Sequence, residues 1–247
     1  MSIELFGSSY KFIQFPAGES HVRVTRESGE VRIKWTYEDD SELFILLLLC
    51  DALNRLQINI AFIQIPYVPH ARQDRITVPG ESLSIKVFAD VLNTLGETIL
   101  INDAHSPVTT ALINNCVEIT QYEGLQHVLE DKIAFYLVCP DAGAHKKIIE
   151  FATHRGCLGI VECSKVRDTV TGNIVETKVD LDYTPDMEMI IIDDICDGGR
   201  TFIEIAKVLH ANHAGKVTLA VTHGLFTKGI EALDIIDEIW TREGKAK

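Results

Sequence analysis

The chain has 247 residues, 46% of them hydrophobic and 24% charged, with a formal net charge of −13. That length allows one large domain or two ordinary ones around a sizeable core. The negative balance argues against non-specific binding to nucleic acid or to anionic membranes.

Cys50, Cys116, Cys139, Cys157, Cys163 and Cys196 are scattered and form no CxxC pair. Such cysteines read as reduced thiols of a cytoplasmic protein. The opening MSIELFGSSYKF is too short and polar for a signal peptide. The longest apolar run, Leu43 to Cys50, falls far below the ~20 residues of a membrane span.

Residues 1–35 read as short strands joined by turns, with Phe15-Pro16-Ala17-Gly18-Glu19 as one turn. Glu42 to Leu56 reads as an apolar helix and Ile58 to Ile65 as a buried strand ending at Pro66. Glu81 to Leu95 reads as a helix, with Ser82 as N-cap and Gly96 as C-cap. Thr98 to Ile101 is a strand ending at Asn102-Asp103-Ala104-His105-Ser106. A second cycle follows: strand Ile133 to Cys139, helix Lys146 to His154 capped by Gly156, and strand Leu158 to Cys163. Asp168 to Asn173 reads as a mobile polar loop. Then come strand Met187 to Asp194, helix Phe202 to His210, strand Lys216 to Thr222 and a short strand Ile235 to Trp240. The alternation predicts an α/β class: two similar domains, 1–125 and 126–247, each with a mainly parallel central sheet flanked by helices. Polar clusters recur after strands, the edge where open α/β sheets bind ligands.

One stretch organises the rest. In Met189-Ile190-Ile191-Ile192-Asp193-Asp194 an apolar run ends in two carboxylates, and Asp197-Gly198-Gly199-Arg200-Thr201 leads into a helix. A loop at a helix start aims N–H groups and a dipole at phosphate. The carboxylates suit sugar hydroxyls or a metal ion. Elsewhere, Tyr67 to Arg75 sets two guanidiniums after a strand, suited to phosphate or a base. On chemistry alone an Arg–Asp surface pair is an equal reading. Lys165 and Arg167 are a local positive pair that otherwise reads as solvated loop charge.

The motifs together resemble the ribose-phosphate diphosphokinases (PRPP synthetases). IPYVPHARQDR resembles that family's IPYxxYARQDR, and PGESLSIKVFADVLNTLG resembles the segment after it. FPAGESHVRV resembles FxDGExxVxI, NDAHSP resembles DLHA, and PDAGAHKK resembles PDxGxxKR. IIIDDICDGGRT resembles DDIxDTAGT, and VTHGLFTKG resembles xTHGxFS. Lys165-Val166-Arg167 falls where the family has its mobile catalytic loop.

The resemblance implies a type I phosphoribosyltransferase-like fold and transfer of a diphosphoryl group from MgATP to ribose 5-phosphate. It implies that Phe15 and Arg72 flank the adenine, with Phe15 from a neighbouring subunit of a homo-oligomer, at least a dimer. Glu19 would read the adenine edge, and Gln73 and Arg75 would contact the triphosphate or its ribose. His105 and Asp141 would touch Mg2+ or its waters, His105 also on the ATP side as a catalytic group. Lys165 and Arg167 would close over the triphosphate as catalytic residues. Asp193 and Asp194 would hold the ribose hydroxyls, and Asp197, Gly198, Gly199, Arg200 and Thr201 the 5-phosphate. The 1–125 domain would serve the nucleotide and 126–247 the ribose 5-phosphate. The alternatives are a catalytically silent regulatory homologue and a PRPP-consuming phosphoribosyltransferase. The retained His105, Asp141, Lys165 and Arg167 argue against the first, and the Arg72–Arg75 segment against the second. Two departures matter most. Ala17 stands where the motif has Asp, and Arg200 stands where it has Gly, a position where φ can be positive.

Overall fold

The computed structural model describes residues 2–26, 29–167 and 174–247. It divides into two compact units, Met1–Ile119 and Thr120–Lys247. The division falls where Thr120 opens a helix through a capping box, its side chain accepting from the Glu123 N–H while Glu123 reaches back to the Thr120 N–H.

In the first unit, strands β1 (Ile3–Phe6), β2 (Ser9–Gln14), β3 (Ser20–Arg26) and β4 (Glu30–Trp35) lead into helix α1 (Ser41–Arg55). There follow β5 (Asn59–Ile65), α2 (Ser84–Asn93), β6 (Ile99–Asn102), α3 (Pro107–Leu112) and β7 (Cys116–Ile119). The sheet order is β1-β4-β5-β6-β7, parallel except for β1, while β2 and β3 form a separate antiparallel hairpin. Helix α1 forms because Leu46, Leu49 and Leu53 recur at helical spacing and bury one face with Ile63 and Ile65 of β5. At its start, buried Glu42 accepts from the Trp35 Nε1–H at 3.0 Å and the Glu38 N–H at 2.9 Å, and also from Ser2. Burial opposes the Glu42 charge, but these donors outweigh it and hold the carboxyl below its usual range.

The second unit holds α4 (Gln121–Leu125), a 3-10 turn (Gln126–Leu129), β8 (Phe135–Cys139), α5 (His145–Arg155), β9 (Gly159–Arg167) and β10 (Ile174–Val179). Strand β11 (Glu188–Cys196), α6 (Arg200–Ala211), β12 (Val217–Gly224), a 3-10 turn (Ile230–Leu233), β13 (Glu238–Thr241) and β14 (Gly244–Lys245) complete it. The order is β10-β9-β8-β11-β12-β13-β14, parallel from β9 to β13 with an antiparallel strand at each edge. Strand β11 is central and buried on both faces. Met189 and Ile191 join the core under α6, while Ile190 and Ile192 join the core under α5, as period-two alternation requires.

The structure departs from the sequence reading at several boundaries. Helix α2 begins at Ser84 with no side-chain cap, and the Ser82 hydroxyl instead meets Ser84 at 2.9 Å. Glu81 turns back to accept from Thr77 and Val78. Strand β8 starts at Phe135, leaving Ile133 98% exposed. Strand β9 runs past Cys163 to Arg167 and pairs with β10, so the backbone of Lys165 and Arg167 is strand. Residues 168–173, read as a loop from the sequence, lie outside the described residues.

Candidate active site

In the first unit the expected nucleotide residues follow strand ends. The chain leaves β5 at Ile65, and buried Val68 and Ala71 pin the next turn to the core. Arg72, Gln73 and Arg75 are exposed. His70 adopts a positive φ of 62° and its Nε2 meets Asp40 at 2.9 Å, which fixes the turn; the Gln73 N–H donates to the His70 carbonyl. Asp74, absent from the expected set, organises this segment. Its side chain is 7% exposed and accepts from the Arg75 Nε–H at 3.0 Å. Burial raises the Asp74 carboxyl, but the Ser106 hydroxyl, Arg75 and the nearby His105 outweigh it and hold the group ionised. The structure therefore brings Arg75 and His105 together around one carboxylate. Next to His105, the Ala104 N–H donates to Glu118 at 2.8 Å, and Asp103 has a positive φ of 42°. Phe15 and Glu19 lie on another element, the exposed tip of the β2–β3 hairpin. There the Phe15 N–H donates to the Glu19 carbonyl and the Gly18 N–H to the Phe15 carbonyl, both at 2.8 Å.

In the second unit, Asp141 follows β8. Its Oδ1 accepts from the N–H groups of Gly143 at 3.0 Å and Ala144 at 3.3 Å, shaping the entry to α5. Asp193 and Asp194 lie within β11, and the strand continues two residues beyond the expected end. The Asp194 N–H donates to the Asp193 Oδ1 at 2.9 Å. Burial pushes the Asp193 carboxyl well up, the Asp194 charge adds to this, and Asp141 contributes further. Three expected carboxylates, two within β11 and one just after the adjacent β8, thus feel one another.

The loop after β11 is stitched to the loop after β12. The Leu225 and Phe226 N–H groups donate to the Cys196 carbonyl at 2.9 and 3.1 Å. The Thr227 hydroxyl donates to the Asp197 Oδ1 at 2.7 Å, and its N–H to the Asp197 carbonyl at 3.2 Å. Gly199 takes the left-handed conformation, φ 73° and ψ 0°, and Arg200 is the first residue of α6. No side chain caps that helix. Its first-turn N–H groups, including those of Arg200 and Thr201, therefore have no intrahelical acceptor and suit an anion.

Cys139, His145 and Glu162 also cluster, with ligating atoms within 4.8 Å. His145 Nδ1 pairs with Glu162 at 2.8 Å, and burial first, then Glu162, push the Cys139 thiol up to about 12. With a single carboxylate beside a thiol and a ring nitrogen, this set offers magnesium too few oxygen donors.

Residues 4–96 match the family described as the N-terminal domain of ribose phosphate pyrophosphokinase. Over 232 residues the chain is 32% identical to a ribose-phosphate pyrophosphokinase of Pyrococcus furiosus, covering 92% of this chain and 82% of that one. The chain belongs to the ribose-phosphate pyrophosphokinase family. A ribose-phosphate pyrophosphokinase of Pyrococcus abyssi is 31% identical, over 87% of this chain and 76% of its own. Phosphoribosylpyrophosphate synthetase from Mycobacterium smegmatis superimposes with a TM-score of 0.77 at 23% identity, covering 95% of this chain and 80% of that one. That likeness shows the fold: α/β, with mainly parallel sheets flanked by helices, of the type I phosphoribosyltransferase-like kind. Among the described residues, no helix is long and apolar enough to cross a membrane.

Proposed function

We propose that the protein transfers the diphosphoryl group of ATP to the anomeric hydroxyl of ribose 5-phosphate, giving PRPP and AMP. The observation that carries this reading is the β11–loop–α6 unit. Its paired carboxylates and uncapped helix start offer a sugar and a phosphate their complementary groups. Family membership supplies the reaction those groups serve.

Asp193 and Asp194 receive the ribose hydroxyls. Backbone N–H groups from Asp197 to Thr201, with the Thr201 hydroxyl, hold the 5-phosphate. On the donor side Arg72 and Phe15 flank adenine, Glu19 reads its edge, and Gln73 and Arg75 meet the triphosphate or its ribose. Phe15 is 48% exposed at a hairpin tip, a place from which it can complete a neighbouring subunit's adenine site in a homo-oligomer. Asp74 holds Arg75 and sets the charge beside His105.

The oxygen donors fit Mg2+, because mutually repelling carboxylates at Asp141, Asp193 and Asp194 gain from a divalent ion. His105 and Asp141 would hold Mg2+ or its waters. When bound, it supplies neutralisation of phosphate charge. Lys165 and Arg167 stabilise charge on the moving diphosphoryl group and on departing AMP. As the sugar oxygen bonds to the β-phosphorus, its proton passes to solvent and the bond to AMP breaks. The protein's share is positioning and charge compensation, the usual source of acceleration in phosphoryl transfer. Six free thiols favour a cytoplasmic setting.

The test is nucleotide release with and without the sugar. Release of AMP that depends on added ribose 5-phosphate is expected. Formation of ADP, or AMP release indifferent to the sugar, would contradict the assignment.

A further inference from the structure

Lys228 lies in the VTHGLFTKG stretch but has been given no role so far. It follows β12 in the loop stitched to the 196–197 backbone, and Thr227 immediately before it bonds Asp197 twice. The Lys228 stem lies across Gly198. Its Cε, Cδ and Cγ come within 3.4, 3.5 and 3.8 Å of where a β-carbon on residue 198 would stand. The aliphatic stem is laid along the loop, and the ammonium is carried at its edge. Among the described residues that ammonium has no ion-pair partner.

Charge makes this placement consequential. A sugar phosphate brings a charge of about −1.5 to −2, taking the second phosphate pKa near 6. The helix start offers only about half a positive charge. Asp194 and Asp197 lie close by and oppose an incoming anion. Backbone N–H groups alone therefore leave the phosphate under-compensated, and a lysine stem held along the same loop supplies the missing charge. Gly198 stands where the DTAGT motif carries Thr, and a larger side chain there would compete with that stem.

We propose that Lys228 binds the 5-phosphate of the sugar acceptor and so selects phosphorylated over unphosphorylated pentose. This rests on reading 197–201 as the ribose 5-phosphate loop. The test compares the wild-type protein with Lys228→Met, which keeps the stem on Gly198 and removes the charge, and with Lys228→Arg, which restores charge. Affinity for ribose 5-phosphate and for ribose is read by calorimetry, and kcat and KM by AMP release. For Lys228→Met the expected result is ribose 5-phosphate affinity weakened about 10- to 100-fold, the scale of one charge-assisted bond. The KM for ribose 5-phosphate should rise in parallel. Ribose affinity, the KM for ATP and kcat should stay within about threefold, and Lys228→Arg should recover most of the loss. Equal ribose 5-phosphate affinity in wild type and Lys228→Met would overturn the role of Lys228, even with PRPP synthesis intact. Weakened affinity in a protein that never forms AMP would uphold Lys228 as a phosphate ligand and overturn the assigned reaction instead.

Discussion

Gly199 has a positive φ of 73°, and a β-carbon there would stand 2.4 Å from Leu233 Cδ2. Arg200 is therefore an ordinary first helical residue, and the glycine the turn needs lies one place earlier than in the family motif. Gly199→Ala should destabilise the fold by about 2 kcal/mol or more, because a side chain disfavours this conformation and its β-carbon would overlap Leu233. Gly198→Ala, whose β-carbon would stand at ordinary contact distance from the Lys228 stem, should stay within about 0.5 kcal/mol of wild type. Urea unfolding of the two variants checks this, and equal stability would show that the turn is not fixed at Gly199. The paired carboxylates, His105 and the arginines were singled out because each sits in a polar cluster after an apolar run. Asp74 was not singled out, although it lies inside the ARQDR motif, because a carboxylate beside an arginine reads as a surface pair until its burial is known. Lys228 was given no role, because it follows the part of VTHGLFTKG that matches xTHGxFS and its neighbour Gly198 lies thirty positions away.

At the scale of elements, the parallel strands of the second unit divide their work between their two ends. The loops carry the site, while an ion network ties the opposite ends. Lys132 meets Glu188 at 2.6 Å, Lys216 meets Glu238 at 2.7 Å, and Lys245 meets Glu238 at 2.7 Å. Burial opposes the Glu238 charge, but bonds from Lys216, Lys245 and Trp240 outweigh it and hold the carboxyl down to about 2. A depressed folded-state pKa contributes stability that is fully present above the unfolded value near 4.5 and lost as pH falls toward about 2. Glu238→Gln should cost on the order of 2 kcal/mol at pH 7, with the deficit shrinking as the pH falls below about 4.5. Thermal unfolding across pH measures it, and a deficit constant with pH would contradict the network. The β9–β10 pairing bears on Lys165 and Arg167, whose backbone is carried on a strand. Lys165→Ala or Arg167→Ala should cut kcat by about two orders of magnitude or more while ribose 5-phosphate affinity changes little. Unchanged turnover would show them misassigned. Long elements were legible from their apolar runs, as in α1 and β11. Strands β7 and β10 and helix α3 were not, because segments of four to six residues carry too little pattern.

For the whole molecule, alternation of strands and helices was enough to predict two α/β halves, since each buried strand must be covered on both faces. The order of strands was not legible. Placing β8 between β9 and β11 depends on pairing between segments far apart in sequence, and the antiparallel strands that close the edges, β10 and β14, are short hairpin partners with little pattern of their own. An acidic chain that handles polyphosphates needs local positive charge: Arg72 and Arg75 follow β5, the Lys228 stem lies along the 197–201 loop, and on the proposed reading the clustered carboxylates take Mg2+. The most direct measurement follows ATP, Mg2+ and ribose 5-phosphate with the purified protein by 31P NMR. The account predicts AMP and PRPP appearing one for one, with no ADP. Binding of both substrates without appearance of PRPP would contradict it.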